Sequence, residues 1–563
     1  MKKTLAVSLV CLAARSGVFA AEPSDGAYIP EPQPVKSAIE ITALYYPGTE
    51  HMPEWDMVDQ TLPHVKPLLG WYDEGNPEVI DWQIKWAVEH GISSFCVDWY
   101  WNRGEQRLDH WVKAFYRAKF RKYLKWYVMY ANHNAPGSHT TEDQVALSRW
   151  WIDHYFKTPE YHTIDGKPVV VMWDCPKLDR DFIAEAAAKG ERLAPGEGVK
   201  RAFAITEQMA RQAGLRGVYW IDMYHGWKYE QPKIDFAKRI GCRAQMIYNF
   251  DTISYFLAPE CRKPGDTKDR FSYDLVAAAA PKWWAMTSRD PEFPFWPMIP
   301  TGWNDQPRSF QRARVIEGRT PEKFRKVCES CRAFCERKGF ARVVIAPVNE
   351  WQEGSYIEPN EEYGFGMYDA LRDAFCEKPA AGWPKNLTPK DVGRGPYDYP
   401  KMHRAATQEW TFDNGTEGWY RQPYGAPNTL CKNGALWFET TRDNNFNIRQ
   451  RLVPFAAGRY RTFRLRMKVR LNPAFGMGKG NDAQPQMRLK WGTGERPIIR
   501  RDLTVDFSGS VAASAVQPDG EWHEYALDLA ANADWKGDVD ELWFEAVNAR
   551  HATVSIDWMR FEK

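Results

Sequence analysis

Between residues 39 and 376 one pattern recurs eight times: a short run rich in β-branched and aromatic residues ends in polar and aromatic side chains, and helical patterns separate several of the runs. The predicted strands are Ile41–Tyr46, Gly91–Trp99, Lys125–Ala131, Pro168–Trp173, Gly217–Met223, Ala244–Tyr248, Phe295–Pro300 and Arg342–Val348. Strands that alternate with helices form parallel sheets, and eight such units close into a barrel. We therefore predict an α/β fold with a (β/α)8 TIM barrel over residues 39–376.

The helix signals between these strands are specific. Residues Asp81–His90 form a predicted helix that ends at Gly91, a favourable C-terminal stop. A second predicted helix spans Asp109–Leu124. Thr141 and Gln144 have the spacing of a capping box and predict the start of a third.

The pattern changes after the barrel. Residues 377–408 contain Pro, Gly, Lys and Asp with little periodicity, which predicts a linker or a packed connector. Between Phe463 and Leu471 apolar residues alternate with Arg and Lys in a strict period of two, and Val554, Ile556 and Trp558 repeat the alternation. We predict a jelly-roll-like β-sandwich over residues 409–563.

The N-terminus has the features of a secretory signal. Lys2 and Lys3 precede a short apolar run, and Val18-Phe19-Ala20 forms a small-x-small cleavage site. We predict a signal peptide of residues 1–21 and export to the periplasm or the extracellular medium. The apolar run is too short to span a membrane, and no later segment has 18 consecutive apolar residues.

The composition of the chain limits the classes of partner that it is expected to bind. The formal net charge is +2 and no long basic run is present, so we predict no nucleic-acid partner. The chain contains 27 Trp, whose flat apolar faces and polar edges suit sugars but also fill large cores. Cys328, Cys331 and Cys335 share one predicted helix face with Phe324 and Phe334, so we predict core packing and no metal site.

Barrel enzymes carry their sites at the carboxyl ends of the strands. The residues that follow the predicted strands are typical of a site for a polyhydroxylated ligand, without metal-ligand spacing or a phosphate loop. The candidate substrate-binding residues are Tyr46, Asp98, Trp99, Tyr100, Asn132, His133, Asn134, Trp173, Asp222, Tyr224, His225, Trp303, Asn304, Asp305, Arg308, Asn349, Trp351, Tyr356 and Glu358.

Glu350 and Glu353 are the candidate catalytic residues. They lie three residues apart after the eighth strand, a spacing that places both carboxyl groups in the barrel mouth about 5 Å or somewhat more apart. Glycoside cleavage requires such a pair, in which one group donates a proton and the other attacks, stabilises charge or activates a nucleophile. Trp351 and the neighbouring negative charge raise the pKa of one of them, as a general acid requires.

This stretch resembles the signature of glycoside hydrolase family 99 and the related WbsX-like proteins. The residues that carry the resemblance are Asn349-Glu350-Trp351, Glu353-Gly354, Tyr356 and Glu358-Pro359, with earlier landmarks at Tyr45-Tyr46-Pro47, Tyr100-Trp101, Tyr130-Ala131-Asn132 and Trp303-Asn304-Asp305. The resemblance covers most of residues 40–370. The chain departs from the pattern after Pro47 and at Asn304-Asp305, so the sugar stays open.

The resemblance implies a metal-free, retaining and endo-acting α-mannosidase that forms a 1,2-anhydro sugar through the substrate's own 2-hydroxyl. It implies that Glu350 deprotonates that hydroxyl, and that Glu353 protonates the leaving group and later activates water. Two alternatives stay open: a glycosyltransferase of polysaccharide assembly, the name often given to WbsX-like proteins, and a glycan-binding protein without catalysis.

The C-terminal domain resembles galactose-binding-type carbohydrate-binding sandwiches. The residues behind this are Trp410, Phe412-Asp413, Gly418-Trp419 and Ser555-Ile556-Asp557-Trp558. A purely structural sandwich packed on the barrel is the alternative. Such sandwiches often hold a structural calcium ion, but no residues here identify its ligands, and we predict no other cofactor.

Overall fold

The computed structural model describes residues 28–48, 53–134, 136–226, 228, 230–398, 404–421, 430–440, 447–472, 485–499 and 510–563. The predicted signal peptide lies outside these residues. Eight parallel strands form the barrel: β1 (Glu40–Tyr45), β2 (Ile92–Asn102), β3 (Lys125–Tyr130), β4 (Lys167–Met172), β5 (Tyr219–Met223), β6 (Ala244–Met246), β7 (Met298–Ile299) and β8 (Arg342–Ile345).

These strands lie side by side in the order β7, β8, β1, β2, β3, β4, β5, β6. A parallel bridge between Gln245 of β6 and Phe295, just before β7, joins the two ends of the sheet. Each predicted run overlaps one of the strands. The predicted (β/α)8 barrel is confirmed.

Helices of the described residues surround the barrel. They are α1 (Pro53–Thr61), α2 (Pro77–Glu89), α3 (His110–Arg117), α4 (Thr141–Trp151), α5 (Cys175–Ala188), α6 (Glu197–Gln212), α7 (Gln231–Ile240), α8 (Ser254–Leu257), α9 (Tyr273–Thr287), α10 (Gln306–Ser309), α11 (Pro321–Lys338) and α12 (Gly366–Phe375). Short 3-10 turns, a π-helical turn at Ile152–Phe156 and two-stranded ribbons lie between them.

The barrel strands are buried on both sides, as the apolar run Val169–Val171 illustrates. Much of the tryptophan content fills this core and the core of the C-terminal domain. Among the described residues, twelve tryptophans are fully buried: Trp55, Trp82, Trp86, Trp99, Trp111, Trp126, Trp151, Trp283, Trp284, Trp410, Trp419 and Trp543. The high tryptophan content is therefore evidence of core packing first and of sugar binding second.

Three predicted helix boundaries are wrong. The helix predicted to begin at Asp81 begins at Pro77, because Asn76 caps it by accepting the Glu78 N–H, 3.0 Å away. The helix predicted to reach Leu124 ends at Arg117, because the buried Asp81 carboxylate accepts the backbone N–H groups of Lys119 (3.1 Å) and Phe120 (2.7 Å) and draws the chain out of the helix. The cap of α4 is Thr140 and not Thr141: the Thr140 hydroxyl accepts the Asp143 N–H, 3.2 Å away.

The helix α11 forms as predicted. Thr320 caps its first turn by accepting the Lys323 N–H, and Pro321 occupies the first helical position. Cys328, Cys331 and Cys335 are fully buried, which confirms core packing. The cysteines of the described residues are free thiols.

The C-terminal residues form a β-sandwich of two antiparallel sheets. Its strands are β9 (Glu409–Trp410), β10 (Tyr420–Arg421), β11 (Leu430–Lys432), β12 (Ala435–Glu439), β13 (Ile448–Ala456), β14 (Thr462–Arg470), β15 (Gln486–Thr493), β16 (Ser510–Ala515), β17 (His523–Asp528), β18 (Asp538–Glu545) and β19 (Thr553–Glu562). One sheet has the order β11, β12, β19, β14, β17, with β9 also on β19, and the other has the order β10, β13, β18, β15, β16.

The predicted alternation in β14 is confirmed, since Phe463, Leu465, Met467 and Val469 are all fully buried. In β19 it fails after Ile556. A bulge inserts one extra residue there, so Met559 faces the core and Trp558 is half-buried on the other face.

The segment between the two domains packs on α2. The Trp86 indole N–H donates to the Leu387 carbonyl (2.8 Å), and the Trp82 indole N–H donates to the Tyr397 hydroxyl (2.9 Å). This part of the chain is therefore a connector held against the barrel.

Candidate active site

A short hairpin after β8 carries the two glutamates. Asn349–Glu350 pairs with Ser355–Tyr356, and the turn Trp351–Glu353 lies between them. Gly354 closes the turn with a φ of 62°, a left-handed conformation that favours glycine. The hairpin fixes Glu350 and Glu353 at the carboxyl end of the barrel.

Arg308 bridges the two glutamates. Its guanidinium group donates to Glu353 and to Glu350 (3.4 Å), and its Nε donates to Gln352 (3.2 Å). The two carboxyl groups also interact electrostatically with each other.

Asp98 supplies a third carboxyl group. It is 5% exposed, accepts a long hydrogen bond from the Tyr100 hydroxyl (3.5 Å) and interacts electrostatically with both glutamates. The Tyr248 hydroxyl donates to Glu350 at 2.8 Å. Asp98 thus adds a third carboxyl group to the pair that Arg308 bridges.

The proton affinities follow from this arrangement. Burial raises the pKa of Glu350, of Glu353 and of Asp98, and in all three it is the largest effect. The charge of Arg308 lowers the pKa of both glutamates, whereas the negative charge of Glu350 raises that of Glu353. A proton shared by the pair therefore belongs to Glu353.

An aromatic wall extends from the carboxyl groups. The Trp173 ring lies 5.0 Å from His133, 4.8 Å from His225 and 5.2 Å from Tyr248, between ring centroids. Tyr100 approaches the His133 ring at 6.1 Å. His133 and His225 are exposed, so this wall, defined by Trp173, His133, His225 and Tyr248, is open to a ligand.

Some predicted site residues brace the strand ends. Asn349 binds both backbone polar groups of Tyr46 (2.9 and 2.8 Å) and so joins the ends of β1 and β8. Asn132 does the same with the backbone of Asp174 (3.0 and 2.9 Å). Further braces link Asn134 to the Trp101 carbonyl, the Asn304 N–H to the Glu353 carbonyl, and Asp305 to the Arg314 N–H. Tyr46 itself is half-buried beside Tyr100.

Other predicted site residues turn away from the carboxyl cluster into the core. Trp99 stacks on Trp101 with ring centroids 5.7 Å apart, because adjacent residues of a strand face opposite sides and Asp98 faces the barrel interior. Trp351 stacks on Tyr356 at 4.3 Å. Tyr224 packs against Trp283 and Phe295. Trp303 is half-buried against the core, and its carbonyl accepts the Ile316 N–H.

Two predicted acids belong to buried hydrogen-bond networks. Glu358 accepts the Tyr72 hydroxyl (2.6 Å) and the Gln83 amide (2.9 Å), and burial raises its pKa to about 7. Asp222 accepts the Gln245 amide (2.7 Å), and burial raises its pKa to about 6.

Sequence reasoning missed Tyr248 and Gln352. Tyr248 follows β6, the one predicted strand whose end contributed no candidate, so the strand-end rule applied to every strand would have found it. Gln352 lies between the two glutamates in the turn, and only its contact with Arg308 reveals it.

None of the described helices is long and apolar enough to cross a membrane. Within the same described residues, no group of three or more His, Cys, Asp and Glu side chains is arranged to hold a metal ion.

Fold and site together define a barrel protein with an acidic, aromatic-lined site at the carboxyl ends of its strands. The model of the family described as glycosyltransferase WbsX matches residues 53–371, more than half of the chain. The chain belongs to the WbsX family.

Relatives and solved structures are similar at low identity. The chain is 22% identical over 382 residues to "Uncharacterized protein WxcX" from two strains of Xanthomonas campestris pv. campestris, covering 60% of this chain. It spans about half the length of these curated relatives, 50%.

Two solved structures are similar to about three fifths of this chain. A glycoside hydrolase-like protein is 18% identical, with a TM-score of 0.44, over 62% of this chain and 98% of its own. The GH99 endo-alpha-mannosidase from Bacteroides thetaiotaomicron, in complex with Bis-Tris propane, is 16% identical, with a TM-score of 0.38, over 60% of this chain and 95% of its own.

Proposed function

We propose that this chain is a glycoside hydrolase whose barrel cleaves a glycosidic bond with Glu350 and Glu353. The observation that carries the proposal is the pair itself: Arg308 donates to both Glu350 and Glu353 at the carboxyl end of the barrel, where Glu350 is buried and Glu353 is half-buried. Glycoside hydrolysis needs one carboxyl group that holds a proton and one that is ionised. Membership of a family concerned with glycans agrees with this chemistry.

The two glutamates take different roles. Glu353 is the general acid, because burial and the negative charge of Glu350 both raise its pKa. Glu350 is the base, because the Tyr248 hydroxyl and Arg308 stabilise its ionised form. The order of roles matches the one that the family resemblance implies.

The proposed reaction proceeds in two balanced steps with retention. Glu350 removes the proton of the sugar 2-hydroxyl, whose oxygen bonds to C1 while the C1–O bond to the leaving group breaks and Glu353 protonates that group. Water then attacks C1 of the 1,2-anhydro sugar, Glu353 takes the water proton, and Glu350 returns its proton to the 2-oxygen. Both carboxyl groups end as they began.

The rest of the site suits a sugar. Asp98 is placed to accept a hydroxyl group of the sugar, and the wall of Trp173, His133, His225 and Tyr248 offers ring faces and edges to its C–H groups. We propose an endo-acting, α-mannosidase-like specificity, a sandwich over residues 409–563 that assists glycan binding, and export directed by residues 1–21.

The test is a product assay on the chain without residues 1–21. It is incubated with α-mannans and with other bacterial, algal and host polysaccharides, while reducing ends, product size and the first-formed anomer are followed. Glu350→Gln and Glu353→Gln keep the shape and remove the chemistry, so each should abolish release. The exposed Glu361→Gln is the control. Turnover that survives in both site variants contradicts the assignment, and binding without release in wild type favours a non-catalytic glycan-binding protein.

A glycosyltransferase is the second candidate, and the name of the matching family favours it. It would need an activated donor. Incubation with nucleoside-diphosphate sugars and oligosaccharide acceptors tests it: release of the nucleotide together with a longer acceptor supports transfer, whereas shorter glycans without donor support hydrolysis.

A further inference from the structure

The segment that carries Arg308 is held in an uncommon backbone conformation. Arg308 lies in the single turn α10, and Asp305 fixes this turn by accepting the Arg314 N–H (2.6 Å) and the Ser309 hydroxyl (2.9 Å). Phe310, two residues after Arg308, has φ 50° and ψ −120°. Aromatic residues rarely adopt a positive φ, so packing around Phe310 must maintain it.

That packing comes from the C-terminal sandwich. Phe310 is 6% exposed and its ring lies 6.5 Å from the Trp543 ring of β18. Met57 of α1 and Ile498 complete this small apolar cluster, which is separate from the cores of the two domains. The contact therefore joins the segment after β7 to the outer face of a sandwich sheet.

Buried charges fix the orientation of Trp543. Arg449 is fully buried, lies 5.1 Å from the Trp543 ring centroid and pairs with Glu541 and with Asp56 of α1 (3.5 Å). The Trp543 indole N–H donates to Glu541 (2.8 Å). Paired buried charges are costly to disturb, so this face of the sandwich has a defined position on the barrel.

The same interface reaches the glutamate hairpin by a second route. Arg451 of the sandwich donates to Asp56 (2.8 Å), and in the same helix Trp55 packs on Trp351 with ring centroids 5.9 Å apart. Trp351 lies between the two glutamates in sequence. Both the guanidinium group and the carboxyl groups are thus supported from the sandwich side.

We propose that the sandwich is a working part of the acidic site: Trp543 is a positioning residue that holds Phe310 and, through it, keeps Arg308 against Glu350 and Glu353. The kinetic part of this inference rests on the proposed hydrolysis. It gives the C-terminal domain a role in turnover that is independent of glycan binding.

The kinetic test compares two buried tryptophans of the sandwich in the full chain. Trp543→Ala loosens Phe310, so kcat should fall about tenfold or more, as small misplacements in active sites do. The pKa of Glu350 should rise as Arg308 withdraws, which moves the acidic limb of the pH–rate profile to higher pH. Trp535→Ala removes another buried ring, which packs on Trp491 and Phe561 inside the sandwich, and should leave both quantities unchanged in the folded protein.

A double variant tests the route through Arg308. Arg308→Met alone should shift the acidic limb, and adding Trp543→Ala should shift it no further, because the two act on one contact. Additive shifts, or an equal loss of kcat in Trp535→Ala, overturn the proposal. If Trp543→Ala does not fold, Phe310→Ala tests the same contact from the barrel side.

Amide hydrogen exchange measures the positioning without any substrate. The peptides that cover residues 306–314 should exchange faster in Trp543→Ala and at the wild-type rate in Trp535→Ala. Equal exchange in the two variants overturns the inference. If wild type cleaves no glycan while the exchange difference is present, the proposed hydrolysis fails and the positioning role stands.

Discussion

The Tyr248 hydroxyl donates a 2.8 Å hydrogen bond to Glu350, and the same ring packs on Trp173 with centroids 5.2 Å apart. Tyr248→Phe keeps the ring and removes the hydroxyl. A hydrogen bond to a charged group contributes about 1.5–3 kcal/mol, so we expect kcat/KM to fall roughly 10–100-fold. The pKa of Glu350 rises when the donor is lost, so the acidic limb of the pH–rate profile should move to higher pH.

The matched control is Tyr116→Phe. The Tyr116 hydroxyl contacts the Thr158 hydroxyl (3.0 Å) and lies outside the site. The Tyr116→Phe variant also loses one tyrosine hydroxyl, and it should leave the pH–rate profile unchanged. A wild-type profile in Tyr248→Phe would show that Glu350 does not depend on this bond.

Trp173→Ala and Trp99→Ala should have opposite effects, although Trp173 directly follows β4 and Trp99 lies near the carboxyl end of β2. Trp173→Ala opens the aromatic wall, so KM should rise with little change in the melting temperature. Trp99→Ala leaves a cavity beside Trp101, Tyr130 and Trp151 and should cost about 3–5 kcal/mol of unfolding free energy. Steady-state kinetics and thermal unfolding of both variants separate the roles, and a raised KM in Trp99→Ala would contradict its placement.

The barrel was predictable because burial on both faces produces continuous apolar runs, such as Val169–Val171, that end where polar residues are needed. The same rule located Glu350, Glu353, Asp98, Tyr100 and Arg308. It works because parallel strands bring their carboxyl ends to one rim.

The direction of each side chain was not predictable in the same way. Asp98 and Trp99 are adjacent, yet one joins the carboxyl cluster and the other fills the core, because neighbouring strand residues face opposite sides. Likewise, Glu358 belongs to a network with Tyr72 and Gln83, partners nearly three hundred residues away in sequence. Contacts of this range depend on the closed barrel and leave no local signal.

The raised pKa of Glu358 predicts that the stability of the fold depends on pH. Glu358 itself is expected to have no role in turnover. Its pKa rises from 4.5 to about 7 in the folded chain through burial. The folded state therefore binds this proton more tightly, and its contribution to stability is fully present below the ordinary pKa and is lost as the pH rises through 7. The difference corresponds to about 3 kcal/mol of unfolding free energy.

Glu358→Gln removes this titration and keeps hydrogen-bonding capacity, since the Tyr72 hydroxyl can donate or accept. Between pH 5 and pH 8 the unfolding free energy of wild type should fall relative to that of the variant, measured by denaturant unfolding. The exposed Glu361→Gln should follow wild type. If the unfolding free energies of wild type and Glu358→Gln change in parallel with pH, Glu358 does not titrate in this range. A large loss of kcat in Glu358→Gln would show that Glu358 belongs to the active site.

Gly354 determines where Glu353 points. Its φ is 62°, and a Cβ atom there would lie 2.5 Å from the Asn304 backbone nitrogen, which donates to the Glu353 carbonyl at 2.6 Å. Gly354→Ala must therefore displace the turn, and we expect kcat to fall about 100-fold, in line with a misplaced catalytic group.

Gly382→Ala is the control, because Gly382 has a φ of 88° and nothing within 4 Å of an added Cβ. The left-handed backbone costs both variants about 1–2 kcal/mol, and the contact with Asn304 adds to this cost in Gly354→Ala. The melting temperature should therefore fall in both variants and further in Gly354→Ala, and only Gly354→Ala should lose turnover. Equal kcat values in the two variants would mean that Gly354→Ala acts only through backbone strain and not through the contact with Asn304.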